Sequence, residues 1–231
     1  MHIPSSTIYD IFSKRSVTEI YHANSVVTAC HFLKENALLS RGTVERIGYR
    51  QSPQKSDPID KKKSIWFDVF ADSVDIHQRA STANSYGPVT FVIDTEIILN
   101  TYTGRIWVTK RNPTKWDGLK EADRWFQNKD DLDKNFVRGE FDQMLVFRHC
   151  GGALPFKSYL KKIILDDPKI EGYEIDFYSL AYGALALAML YGRIDVPIER
   201  RKCKDSCKCH GIYKSNHELV YKMYYPDVQS N

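Results

Sequence analysis

Short apolar runs alternate with long polar breaks along this chain, and their spacing predicts both strands and helices. Residues 19–23 (EIYHA) predict a first strand. Residues 26–36 bring Val27, Cys30, Phe32 and Leu33 near one face of a helix, with Asn24 or Ser25 placed to cap it. Residues 51–63 (QSPQKSDPIDKKK) read as a loop, and residues 65–70 as a compact apolar segment. Residues 89–94 (VTFVID) give the clearest strand, behind a Gly-Pro break. Residues 105–110, 141–148 and 162–165 predict further strands, and residues 173–193 a helix rich in Ala and Leu. The fold class expected is α+β, with a catalytic unit over 1–167 and a helical, Cys-rich C-terminal extension over 168–231.

Composition narrows this picture. At 231 residues, 42% hydrophobic and 13% aromatic, the chain can bury a core and is not disordered. The net charge of +4 permits a polyanionic partner without requiring one. The first residues, MHIPSSTIYDIFSKRS, lack the apolar stretch of a secretory signal. The longest uncharged run, residues 177–191, is shorter than the roughly 20 residues a membrane span needs. A cytoplasmic protein with no membrane partner is the expectation.

Two stretches carry candidate chemistry: the Tyr21-His22-Ala23-Asn24 strand end and the Leu38-Leu39-Ser40-Arg41-Gly42 turn after the first helix. Their order resembles the opening of the DarT-like ADP-ribosyltransferase toxins, and also the CmdT-like toxins that modify mRNA. The likeness extends over residues 19–166, about two thirds of the chain. It implies an ADP-ribosyltransferase-like split β-sheet with flanking helices, NAD as substrate, and a nucleobase of single-stranded RNA or DNA as acceptor. It further implies a toxin role held in check by an antitoxin protein. The reaction breaks a nicotinamide–ribose bond with glycoside-like character, so it needs a carboxylate, aromatic stacking and pyrophosphate-binding groups.

By this resemblance His22 and Asn24 hold the NAD ribose, and Arg41, or Arg46 and Arg50, meet the pyrophosphate. The dense polar run Asp72 to Arg79, with Asp75, His77 and Arg79, reads either as a pocket wall or as a surface helix with an ion pair. The family glutamate falls at Gln143, which cannot carry charge. Glu140 is therefore the expected catalytic carboxylate, re-aimed by a bulge at Gly139, with Gln143 positioning the ribose. Trp116, Arg124 and Trp125, in the polar stretch 112–139, fit base stacking beside phosphate contacts or an ordinary amphipathic loop. Cys203, Cys207, Cys209 and His210 are donors suited to zinc, at a spacing that is not a standard knuckle. A rival reading is a non-catalytic nucleic-acid-binding module with a zinc-bound tail.

Overall fold

The computed structural model describes residues 3–54, 56–79, 86–100, 106–170, 173–202 and 208–226. Helix α1 (Ser5–Lys14) leads into β1 (Glu19–Asn24), α2 (Val26–Lys34), β2 (Ala37–Leu39), α3 (Arg41–Arg46) and α4 (Asp57–Lys62). Next come β3 (Val69–Ala71), α5 (Ile76–Arg79), β4 (Val89–Asp94), α6 (Ile97–Asn100) and β5 (Ile106–Val108). A 3-10 turn at Pro113–Lys115 precedes α7 (Glu121–Arg124) and α8 (Lys129–Asn135). Strands β6 (Leu145–Phe147), β7 (Ala153–Pro155) and β8 (Leu160–Asp167) are followed by α9 (Phe177–Gly192), β9 (Ile198–Lys202), α10 (Lys208–Ser215) and α11 (His217–Tyr224). The fold is mixed α+β.

The larger sheet runs β1-β4-β8-β9, with β4 antiparallel to both neighbours and β9 parallel to β8. Strand β4 is central and its residues Val89 to Ile93 are all buried, which explains its near-continuous apolar sequence. A second antiparallel sheet runs β3-β6-β5, and β2 pairs with β7. The two larger sheets touch where Tyr21 and Asp72 exchange backbone hydrogen bonds of 2.9 and 2.8 Å. This contact brings the end of β1 beside the end of β3, where the functional cleft forms.

Chain beyond residue 167 contributes to the same structure. Strand β9 extends the larger sheet, and Phe177, Leu185, Val220 and Tyr224 join one apolar core with Ile20, Phe32 and Phe91. The Tyr224 hydroxyl donates to the Asp166 carbonyl at 3.0 Å. Strand β9 escapes sequence reading because its residues, IERRK, are mostly charged: it is an edge strand, half-exposed. Among the described residues no helix is long and apolar enough to cross a membrane.

Two expected elements change. Residues 51–63 contain the helix α4, with Pro58 in its first turn, where proline is tolerated. The expected strand over 141–148 shrinks to β6, and residues 138–142 form turns instead. The cause lies at Gly139, whose φ is +82°, and at Asp142, which is buried and held by Lys115 at 2.8 Å and Arg111 at 3.4 Å. The Asp142 carbonyl also accepts from the Thr109 hydroxyl at 2.6 Å. A chain pinned this way cannot continue the ladder.

Candidate functional site

A cleft opens between the end of β1, α3, α4 and β3. Strand β1 delivers His22 and Asn24 to it because alternate residues of a strand share a face. The turn into α2 is tight: a Cβ on Gly87 would sit 2.2 Å from the Asn24 backbone, and its φ is +141°, so only glycine serves there. Apolar walls come from Phe32, Ile65, Phe70 and Met144, with Trp66 at the rim of α4.

The imidazole of His22 is held in one tautomer. Its Nδ1 lies 2.8 Å from the Phe70 carbonyl, which can only accept, so Nδ1 carries the hydrogen. Its Nε2 is then an acceptor, 3.5 Å from the Asn24 amide nitrogen. Burial lowers the His22 pKa below its ordinary value and keeps the ring neutral. Asn24 is itself fixed, its Oδ1 accepting from the Ser25 N–H at 3.0 Å. The pair presents a preorganised hydrogen-bonding edge to whatever enters.

Arg41 lies at the start of α3, where Ser40 caps the helix by accepting from the Thr43 N–H. Its guanidinium grips Asp57 through Nε at 2.5 Å and NH2 at 2.7 Å, and NH2 also donates to the Ser52 carbonyl at 3.0 Å. The charge is therefore positioned and largely compensated. Beside it, Gln51 donates to the Arg41 carbonyl at 3.1 Å, leaving its buried Oε1 without a hydrogen-bond partner. An orphaned buried acceptor is costly unless a ligand fills it.

Three carboxylates line the cleft: Asp60, Asp68 and Asp72. Asp68 is committed to Arg148 Nε at 2.9 Å and to the His149 N–H at 3.2 Å. Burial pushes the Asp60 carboxyl up to about 6. Asp72 follows β3 and sits close enough for its charge to act on His22.

Other expected site residues lie elsewhere. Glu140 and Gln143 line a separate concavity with Lys110, Arg111 and Asp142, and not the cleft of His22. Glu140 is exposed, and the Gln143 amide is occupied, accepting from the Val137 N–H at 2.7 Å and donating to the Asn135 carbonyl at 3.0 Å. The alternating-face argument for this stretch fails because it is turn, not strand.

Asp75 and His77 join a buried charge cluster instead of a pocket wall. Arg201 of β9 contacts Asp75, reaches Asp166 at 2.5 Å and lies 2.7 Å from His77 Nδ1; His77 Nε2 lies 3.0 Å from Asp166. Burial works to raise Asp75, but hydrogen bonds from His77 and the Arg201 charge outweigh it and hold its carboxyl at about 2. Arg50 is exposed and outside the cleft lining. The Arg79 side chain, and the Cys203, Cys207, Cys209 and His210 side chains expected to bind zinc, lie outside the described residues. Among the described residues no group of three or more His, Cys, Asp or Glu is arranged to hold a metal ion.

Trp116 and Trp125 are 1% and 2% exposed and cannot stack a base. They form a small second core with Ile65 and Val146, and Arg124 is turned back onto the Leu119 carbonyl at 2.7 Å. The residues that sequence reading missed are Gln51 and Asp60 in the cleft and Arg201 in the charge cluster; Asp72 opened the polar run read as one of two alternatives, a pocket wall, and it lines the cleft. Gln51 and Asp60 sat in a stretch read as featureless loop, and Arg201 is 126 residues from the Asp75 it contacts, so no local pattern signals it.

No family model matches the chain, and no curated relative matches it. Two solved structures are similar in shape. Thermus sp. 2.9 DarT in complex with ADP-ribosylated ssDNA superposes with a TM-score of 0.46 at 12% identity, covering 80% of this chain and 95% of that one. Thermus sp. 2.9 DarT in complex with carba-NAD+ gives a TM-score of 0.45 at 12% identity, with the same coverage.

Proposed function

We propose that this chain is an ADP-ribosyltransferase that moves ADP-ribose from NAD to a nucleobase of single-stranded nucleic acid. The observation that carries the reading is the His22–Asn24 pair, locked in one tautomer at the edge of an apolar, acid-lined cleft. NAD supplies an activated glycosidic carbon: the bond to nicotinamide is exchanged for a bond to the base, which gives up a proton. The residues of the cleft fit such a ligand. His22 Nε2 accepts from a ribose hydroxyl, and the orphaned Gln51 Oε1 accepts from an amide or hydroxyl donor. Phe70 and Phe32 exclude water from the floor.

On this reading Asp72 supplies the negative charge that electrostatic stabilisation needs, because it lines the same cleft as His22. Glu140, expected as the carboxylate because Gln143 cannot carry charge, stands in the separate concavity. One observation favours a second reading, a nucleic-acid-binding relative without transferase chemistry: Gln143 stands where the family places its glutamate, and its amide is tied to backbone.

Nicotinamide release separates the two. The protein incubated with labelled NAD and, separately, single-stranded RNA, single-stranded DNA and protein extract is expected to release nicotinamide and to label a nucleic-acid fraction. No nicotinamide release with any acceptor contradicts the transferase and leaves the binding module. Asp72→Asn is expected to lower transfer at least 100-fold, and Glu140→Ala less than Asp72→Asn. The reverse order would move the charge to Glu140.

A further inference from the structure

A second concavity of about 1090 Å³ adjoins the cleft and shares Trp66 and Asp68 with it. Its wall carries Arg46, Lys61, Phe67, His149, Gly151 and Gly152. Phe67 is 45% exposed. The Arg46 guanidinium lies 5.6 Å from the Phe67 ring centroid, and the Lys61 ammonium 4.5 Å from that of Trp66.

The aromatic pair is built and held. Glu45 accepts from the Trp66 indole N–H at 2.8 Å and binds Lys61 at 2.7 Å, fixing ring and cation together. Gly42 makes the placement possible: a Cβ there would meet Trp66 at 2.7 Å and Phe67 at 2.8 Å. The Gly42 N–H donates to the Trp66 carbonyl at 2.8 Å, anchoring the segment to α3. An exposed phenyl ring and a half-buried indole beside exposed cations are a composition that accepts a base by stacking and the adjoining phosphate by charge. The exposed apolar part is small, chiefly Phe67, against the roughly 800 Å² per partner of a stable protein interface.

We propose that this face is the acceptor-strand site. A single-stranded nucleic acid stacks a base on Phe67 and Trp66, sets its phosphates against Arg46 and Lys61, and leads a neighbouring base across Trp66 into the cleft. Only that last step rests on the cleft being an ADP-ribosyltransferase site; strand binding does not.

The test is fluorescence anisotropy with end-labelled single-stranded DNA and RNA of ~16 nucleotides. Wild type, Phe67→Ala and Arg46→Gln are compared without NAD, across a salt series. Phe67→Ala is expected to weaken binding about tenfold or more. Arg46→Gln is expected to weaken binding and to flatten its salt dependence by about one phosphate contact. Circular dichroism melting checks that both variants fold. Equal affinity in wild type and Phe67→Ala overturns the proposal, as does absence of single-strand binding or a preference for duplex. Nicotinamide release without acceptor is measured alongside and is expected to be unchanged in Phe67→Ala. Strand binding without nicotinamide release would overturn the transferase reading and leave this surface standing.

Discussion

Residues 61–67 and residues 107–126 both set basic residues beside tryptophan and phenylalanine in the sequence, yet they fold in opposite ways. In the second stretch the indoles turn inward. Trp107 and Trp116 meet Trp125 edge-on, at centroid distances of 5.2 and 4.8 Å. In the first stretch Trp66 is half-buried and Phe67 exposed. The difference follows from where the polar handle of each indole goes. Trp116 donates its N–H to the Arg111 carbonyl at 2.7 Å, a backbone partner that lets the whole ring be buried. Trp66 donates to the exposed side chain of Glu45, which keeps the ring at the surface. Composition alone cannot separate a stacking platform from a core; the partner of the indole nitrogen does.

The sharpest way to break this comparison is to truncate one ring on each side. Trp125→Ala empties the centre of the small core and is expected to cost about 3–5 kcal/mol in denaturant unfolding. A loss below ~1 kcal/mol would mean that these indoles are not structural. Phe67→Ala on the other side is expected to change stability by under ~1 kcal/mol, its effect falling on strand binding.

Arg148 joins the two regions. Its guanidinium lies 5.3 and 5.1 Å from the Trp107 and Trp125 rings, and its Nε binds Asp68, the residue after Phe67. Arg148→Met leaves a buried carboxylate unpaired and is expected to cost about 3–5 kcal/mol at neutral pH, second only to Trp125→Ala. Burial raises the Asp68 carboxyl, and Arg148 opposes the rise. A carboxyl raised in the folded state holds its proton more tightly there than in the unfolded chain. Its contribution is fully present below the unfolded value and is lost as pH rises through the folded one. Removing Arg148 enlarges that rise, so the deficit of the variant should widen as pH rises above the ordinary aspartate value of about 4. A deficit independent of pH would place the loss in packing over the indoles.

Much of the scaffold was legible before the structure. Strand β4 matches its expected bounds, Val89–Asp94, because a central strand buried on both faces writes an unbroken apolar run. Strand β1 and helix α2 were also expected near their observed bounds, and helix α9 from its run of Ala and Leu. His22, Asn24 and Arg41 line one cleft. Glu140 does not join them, since a strand argument was applied to a segment that Gly139 and Asp142 turn into a loop. Asp75 and His77, read either as a pocket wall or as a surface helix with an ion pair, meet Arg201, whose side chain comes from an edge strand with no apolar signature. What the sequence hid was long-range pairing and the fate of rings whose polar ends find backbone.

The most direct test of the central claim is calorimetric titration of NAD into wild type and His22→Ala. The cleft geometry predicts measurable binding to wild type and at least a tenfold loss in the variant, with unchanged melting behaviour beyond the lost Phe70 hydrogen bond. Equal NAD affinity in the two proteins, or none in either, would contradict the assignment of this cleft.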